Sequence, residues 1–152
     1  MKFLVVDDSP TMRRIVINAL ASFGYDSVVE AEDGQDAFSK LQSNPVEFII
    51  TDWNMPNMNG LEFTKAVRAD AKFSKLPILM VTTRGLKQDI IEALQARVNN
   101  YVVKPFTPQV LKPLLSMKFK TLKTKIVLHC RLFGQGCFLI KKYSKYNNPP
   151  KS

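Results

Sequence analysis

Between residues 1 and 116 the chain alternates short apolar runs with longer amphipathic stretches. The apolar runs are KFLVV (2–6), DSVVEA (26–31), VEFIIT (46–51), PILMVT (77–82) and NYVVK (100–104). Four of the five are β-branched or aromatic without clean polar alternation, which suits strands covered on both faces. DSVVEA is the most polar and is expected at a sheet edge. The segments between them have helical spacing. In 11–23, Met12, Ile15, Val16, Ala19, Leu20 and Phe23 recur every three or four residues, and Gly24 is placed as the stop. Residues 35–42, 60–69 and 86–96 follow suit, and a last helix opens at Thr107-Pro108, an N-cap followed by a first-turn proline. The order is (βα)5. Short connections and right-handed crossovers turn it into an α/β fold, a doubly wound parallel five-stranded sheet with helices on both faces.

Composition adds a boundary. The formal net charge is +9, yet residues 1–116 hold thirteen Lys and Arg against thirteen Asp and Glu. The other nine basic residues all fall in 117–152, which contains no acid. The body of the chain therefore has no bulk preference for polyanions, and nucleic acid is not an expected partner. The chain is expected to comprise one domain over 1–120 and a basic, poorly ordered tail over 121–152. The apolar run 126–140 is broken by His129, Arg131 and Gly134-Gln135-Gly136, too often for stable membrane insertion. His129 with Cys130 and Cys137 is too sparse for structural zinc. Neither a leader nor a membrane span is legible, so the protein is expected in the cytoplasm.

The polar residues give the chemistry. Asp7 and Asp8 directly follow the first strand, Asp52 the third; Thr82 and Thr83 end the fourth, and Lys104 the fifth. In an open parallel sheet these positions share the carboxyl edge, where ligands bind at the reversal of strand order. Taken singly, each is an ordinary loop acid, strand-end hydroxyl or surface lysine. Four strand ends out of five carrying acid, acid, hydroxyl and ammonium form a joint pattern. Three carboxylates crowded together repel one another unless a cation sits among them, and oxygen-only ligands select a hard ion such as magnesium. A nucleophilic carboxylate, a metal and a positive clamp are the parts that receive a phosphoryl group.

The segments VVDDSPTMRR, EAEDGQDA, FIITDWNMPNMNG, ILMVTT and NNYVVKPF, spanning roughly residues 1–116, resemble the receiver domains of two-component response regulators, specifically the stand-alone chemotaxis type. The resemblance implies the flavodoxin-like strand order 2-1-3-4-5. It implies that Asp52 accepts a phosphoryl group from a histidine kinase of CheA type. Magnesium would be held by the side chains of Asp7, Asp8 and Asp52 and the backbone carbonyl of Asn54. Lys104 would clamp the phosphoryl group, with Lys104-Pro105 a cis peptide. Thr82 would be the switch hydroxyl, and Tyr101 the aromatic that turns inward as Thr82 moves toward the phosphate. The implied output is a monomer that docks on a flagellar motor switch protein of FliM type, with a phosphatase as a further partner. That is a signalling role, not an enzyme. The alternatives are a phosphate sink, a phosphorelay outside chemotaxis, and a magnesium-dependent phosphatase with an aspartyl nucleophile. The last commonly spaces two acids i, i+2 after its first strand, whereas Asp7 and Asp8 are adjacent. Two positions depart from the family pattern. Arg97 stands where a glycine is usual, and Pro113 falls inside the fifth helix.

Overall fold

The structure is a computed structural model and describes residues 1–115. The expectations for the segment from 116 onward, including the domain boundary near 120 and the tail, lie outside the described residues. The elements run β1 (Phe3–Val6), α1 (Pro10–Ser22), β2 (Val28–Ala31), α2 (Gly34–Ser43), β3 (Phe48–Thr51), α3 (Gly60–Ala69), β4 (Ile78–Thr82), α4 (Lys87–Gln95), β5 (Asn100–Val103) and α5 (Pro108–Leu115). All strand pairs are parallel, in the order β2-β1-β3-β4-β5. This is the expected fold, and the polar run DSVVEA supplies the edge strand β2. Among the described residues no helix is long and apolar enough to cross a membrane.

The missing polar alternation has a simple cause: side chains alternate across a strand, and here both faces are covered. On one side Phe3, Val5, Phe48, Ile50, Leu79, Val81 and Val102 pack against α1 and α5 through Val16, Leu20, Leu111 and Leu114. On the other, Leu4, Val6, Ile49 and Ile78 meet Ala37, Leu41, Phe63 and Val67 of α2 and α3. Further along that side, Met80 and Tyr101 meet Trp53, Ile90 and Ala93. Each fully buried Val, Leu, Ile or Phe is worth roughly 1.5–3 kcal/mol. Local penalties of about 1 kcal/mol are small beside that total.

One such penalty is Arg97, whose φ is 65°, the left-handed conformation that glycine adopts without strain. The carbonyl it presents is gripped by Arg68, whose Nε and Nη2 donate to Arg97 O at 3.1 and 3.0 Å. The same guanidinium donates through Nη1 to the carbonyls of Ser74 (3.1 Å) and Leu76 (2.8 Å), and through Nη2 to Asn99 Oδ1 (2.9 Å). Burial, with the nearby Arg97 charge, lowers the Arg68 guanidinium to about 10, so it remains a cation at neutral pH. Arg68 thus ties the end of α3 to the start of β4 and to the turn before β5. Pro113 sits inside α5 as expected, and the helix continues through it to Leu115.

Replacing Arg97 by glycine removes the left-handed penalty of about 1 kcal/mol and the repulsion with Arg68. Arg97→Gly should raise Tm by about 4 °C in a thermal melt. Arg97→Ala, which keeps the strained φ, should give no such gain; equal gains in both would place the effect in charge rather than backbone.

Candidate functional site at the carboxyl edge

Each site residue stands at a strand end, and the ladder holds it there. Asp52 N donates to Val6 O (2.8 Å), Asp7 N to Ala31 O (3.2 Å) and Lys104 N to Thr82 O (2.8 Å). The β1–β3 register sets Val6 opposite Thr51, which makes Asp7 and Asp52 neighbours. One carboxylate oxygen from each of Asp7, Asp8 and Asp52 lies within 4.8 Å of the others. Asp7 and Asp52 are buried, at 5% and 7% exposure, and Asp8 faces solvent.

Lys104 reaches into this group. Its Nζ is 2.7 Å from Asp7 Oδ2 and 3.6 Å from Asp52 Oδ2, and Lys104-Pro105 is cis. Asp7 is fixed further by Ser9 N donating to its Oδ1 (2.9 Å) and by Arg13 Nη1 donating to its carbonyl (2.7 Å). Ser9 also caps α1, its hydroxyl accepting from Met12 N at 3.3 Å. Asp52 is less well served. Its Oδ1 is buried with no hydrogen-bond partner. Burial pushes its carboxyl above the usual carboxylate range and the Asp7 charge adds to that; Lys104 opposes most strongly, then the Trp53 amide and the Thr82 hydroxyl.

A buried, unpartnered carboxylate oxygen beside two further carboxylates is a poor resting place for negative charge and a good one for a hard cation. The donor set is all oxygen. It fits magnesium, with the Asp7, Asp8 and Asp52 side chains as the residues that would hold it.

Thr82 is fully buried and its Oγ1 accepts from Arg84 N at 3.3 Å. Tyr101 is turned inward in this structure, 2% exposed, with its hydroxyl donating to Arg84 O at 2.9 Å. Burial raises the phenol well above its ordinary value, and Asp89 adds to the effect. The Asn54 side chain lies at the rim, where its Nδ2 donates to Thr83 Oγ1 (3.4 Å) and its Oδ1 accepts from Arg84 Nε (3.2 Å).

Two residues at the site are absent from the sequence-level reading. Arg84 stacks over the Trp53 ring at 4.8 Å, pairs with Asp89 at 3.1 Å and offers its carbonyl to Tyr101. A lone arginine in a loop gives no signal of this. Gly60 is the other: a Cβ there would lie 1.8 Å from the Asp52 carbonyl oxygen. Here a signal was present, since Asn59 and Glu62 form a capping box that starts α3 at this glycine.

Residues 3–116 match the response regulator receiver domain family. The chain is 57% identical over 122 residues to chemotaxis protein CheY1 of Helicobacter pylori, covering 80% of this chain and 98% of that one. Among solved structures it is similar to the chemotaxis response regulator CheY4 of Vibrio cholerae, with a TM-score of 0.70 and 40% identity over 76% of this chain and 95% of that one. It is also similar to the receiver domain of the sensor histidine kinase PA1611 of Pseudomonas aeruginosa, which has a magnesium ion coordinated in its active-site cleft. There the TM-score is 0.69 and the identity 30%, over 76% of this chain and 93% of that one.

The site also makes demands on stability. Because the folded state raises the Asp52 pKa, it binds more protons than the unfolded chain across the window just above the ordinary carboxylate value. Stability from this group therefore falls as pH rises through that window. Asp52→Asn should raise Tm by a few degrees at pH 7 in metal-free buffer, and the gain should shrink as pH falls through the carboxylate range. A gain that grows toward acid pH would contradict the burial argument. Gly60→Ala should lower Tm by several degrees, since the clash is with the Asp52 backbone at the end of β3.

Proposed function

Because the chain belongs to the response regulator receiver domain family, we propose that it is a chemotaxis response regulator phosphorylated on Asp52. One observation carries the assignment: the buried Asp52 carboxylate has an unpartnered oxygen, and Asp7, Asp8 and Lys104 converge on it. A carboxylate oxygen of Asp52 attacks the phosphorus of a histidine-kinase phosphoimidazole. The O–P bond forms as the P–N bond breaks, and the imidazole leaves neutral, its proton already on the other ring nitrogen. The Asp7, Asp8 and Asp52 side chains and the Asn54 carbonyl would hold magnesium, whose positive charge would let the carboxylates coexist and would neutralise the transferred group.

The other steps use the chain's own groups. Lys104 Nζ, now on Asp7, is close enough to exchange that partner for a phosphoryl oxygen. The Thr82 hydroxyl, held by the Arg84 amide, is the second donor to be recruited. Each charged contact of this kind is worth roughly 1.5–3 kcal/mol, and moving an equilibrium from 1:99 to 99:1 takes about 5.5 kcal/mol. Two or three such contacts suffice. Movement of Thr82 pulls on Arg84, whose carbonyl holds Tyr101, so the signal reaches the β5 and α4 surface through that loop. The face so altered is the one offered to a motor switch protein of FliM type and to a CheA-type kinase. The receiver domain is proposed to extend over 1–120.

Acetyl phosphate with magnesium should change the fluorescence of Trp53, which adjoins Asp52 and lies under Arg84. The change should vanish in Asp52→Asn and require more magnesium in Asp8→Asn. An undiminished response in Asp52→Asn would mean another residue is the acceptor. Capture of FliM-type protein by the phosphorylated form alone supports the motor role; capture of neither partner favours a phosphate sink.

A further inference from the structure

The loop from Trp53 to Asn59 directly follows Asp52 and carries Asn54, whose side chain bonds to Thr83 and Arg84. It is gripped from outside, by the turn between β2 and α2. Asn57 adopts the left-handed φ of 60° and its Nδ2 donates to Asp33 Oδ2 at 2.6 Å. Asp33 is 6% exposed and works with both oxygens, since Oδ1 accepts from Asp36 N at 2.9 Å and so caps α2. Beside this bond, Gly34 N donates to Met58 O at 2.9 Å. The approach is so close that a Cβ on Gly34 would lie 2.6 Å from Met58 Cγ and 2.7 Å from Met58 O. The α2 cap needs only one carboxylate oxygen. The second oxygen holds the loop in a conformation that asparagine tolerates but does not favour.

We infer that Asp33, acting through Asn57, is a positioning residue for the magnesium site: it fixes the 53–59 loop, which carries Asn54, the residue whose carbonyl the proposed function assigns to magnesium. The inference rests on the magnesium reading given under the proposed function. Neither Asp33 nor Asn57 touches the ion or the phosphoryl group. Their effect falls on metal affinity, as outer-shell partners commonly alter it by about 10–100-fold. It does not fall on the reactivity of Asp52 once metal is saturating.

The bond can be reversed as a test. Asn57→Asp sets two carboxylates face to face and leaves the Asp33 cap of α2 in place. The double variant, Asp33→Asn with Asn57→Asp, restores a donor–acceptor pair at the net charge of wild type. Magnesium titrations followed by Trp53 fluorescence should show Asn57→Asp weakened by about tenfold, with the double variant back within about twofold of wild type. Phosphorylation by acetyl phosphate at saturating magnesium should be alike in wild type and both variants. Hydrogen exchange in metal-free protein gives an independent readout: the Gly34 amide should exchange faster in Asn57→Asp and recover in the double variant. A role for Asp33 confined to capping α2 would leave magnesium affinity unaltered in Asn57→Asp. Magnesium affinity unchanged in Asn57→Asp, with wild type binding normally, overturns the proposal. If wild type itself fails to bind magnesium, the site reading falls, and unaltered Gly34 exchange then removes the tether as well.

Discussion

Everything at the carboxyl edge depends on one register, Val6 opposite Thr51 in the direct parallel pairing of β1 with β3. The next residue on each strand is an aspartate, so the pairing delivers two carboxylates side by side. A slip of one residue would turn every side chain of the strand to the opposite face. It would expose neither an apolar nor a polar face cleanly, since both faces are apolar, but it would separate Asp7 from Asp52 and misplace the core. Apolar packing against four helices thus holds fixed an arrangement that electrostatics alone would drive apart.

That opposition explains the local chemistry. Asp7 has a lysine, a backbone amide and a gripped carbonyl, and is structurally satisfied. For Asp52 the same lysine stands at 3.6 Å rather than 2.7 Å, and one carboxylate oxygen has no partner. Burial that Lys104, the Trp53 amide and the Thr82 hydroxyl offset only in part marks a group that costs the fold stability rather than supplying it. The two acids have the same residue type and nearly the same burial. Their partners separate the anchored acid from the one proposed to react.

The parts of this molecule legible in its sequence are those whose signal is local. Runs such as FLVV and FIIT announce strands buried on both faces, and the acids, threonine and lysine stand directly after them. Once the (βα)5 order is accepted, their convergence follows. Arg84, Arg68 and the Asp33–Asn57 bond were not legible, because a long or amide side chain chooses its partner among groups brought close only by the tertiary fold. Asp33 reads as a helix cap, which it is, and nothing in the sequence reveals that its second oxygen is committed 24 residues away. Arg97 was legible as an anomaly at a glycine position. Its remedy, the grip of Arg68 on the strained carbonyl, was not.

Tyr101 marks the limit of local signals, because the position of its ring is decided by a partner in another loop. The ring lies inside while Lys104 is bonded to Asp7 and Thr82 to the Arg84 amide. An inward ring thus coexists with a lysine bonded to its carboxylate, and Thr82 and Tyr101 are joined through the short loop 82–84. Arg84 meets the buried threonine through its amide, the tyrosine through its carbonyl, and the Trp53 ring and Asn54 rim through its guanidinium. One residue touches the loop after Asp52, the buried Thr82 hydroxyl and the Tyr101 phenol. Under the proposed function, a change at Asp52 that draws Thr82 would reach Tyr101 through a single hydrogen bond, worth about 1 kcal/mol. Coupling of that size shifts a balance between states rather than throwing a rigid lever.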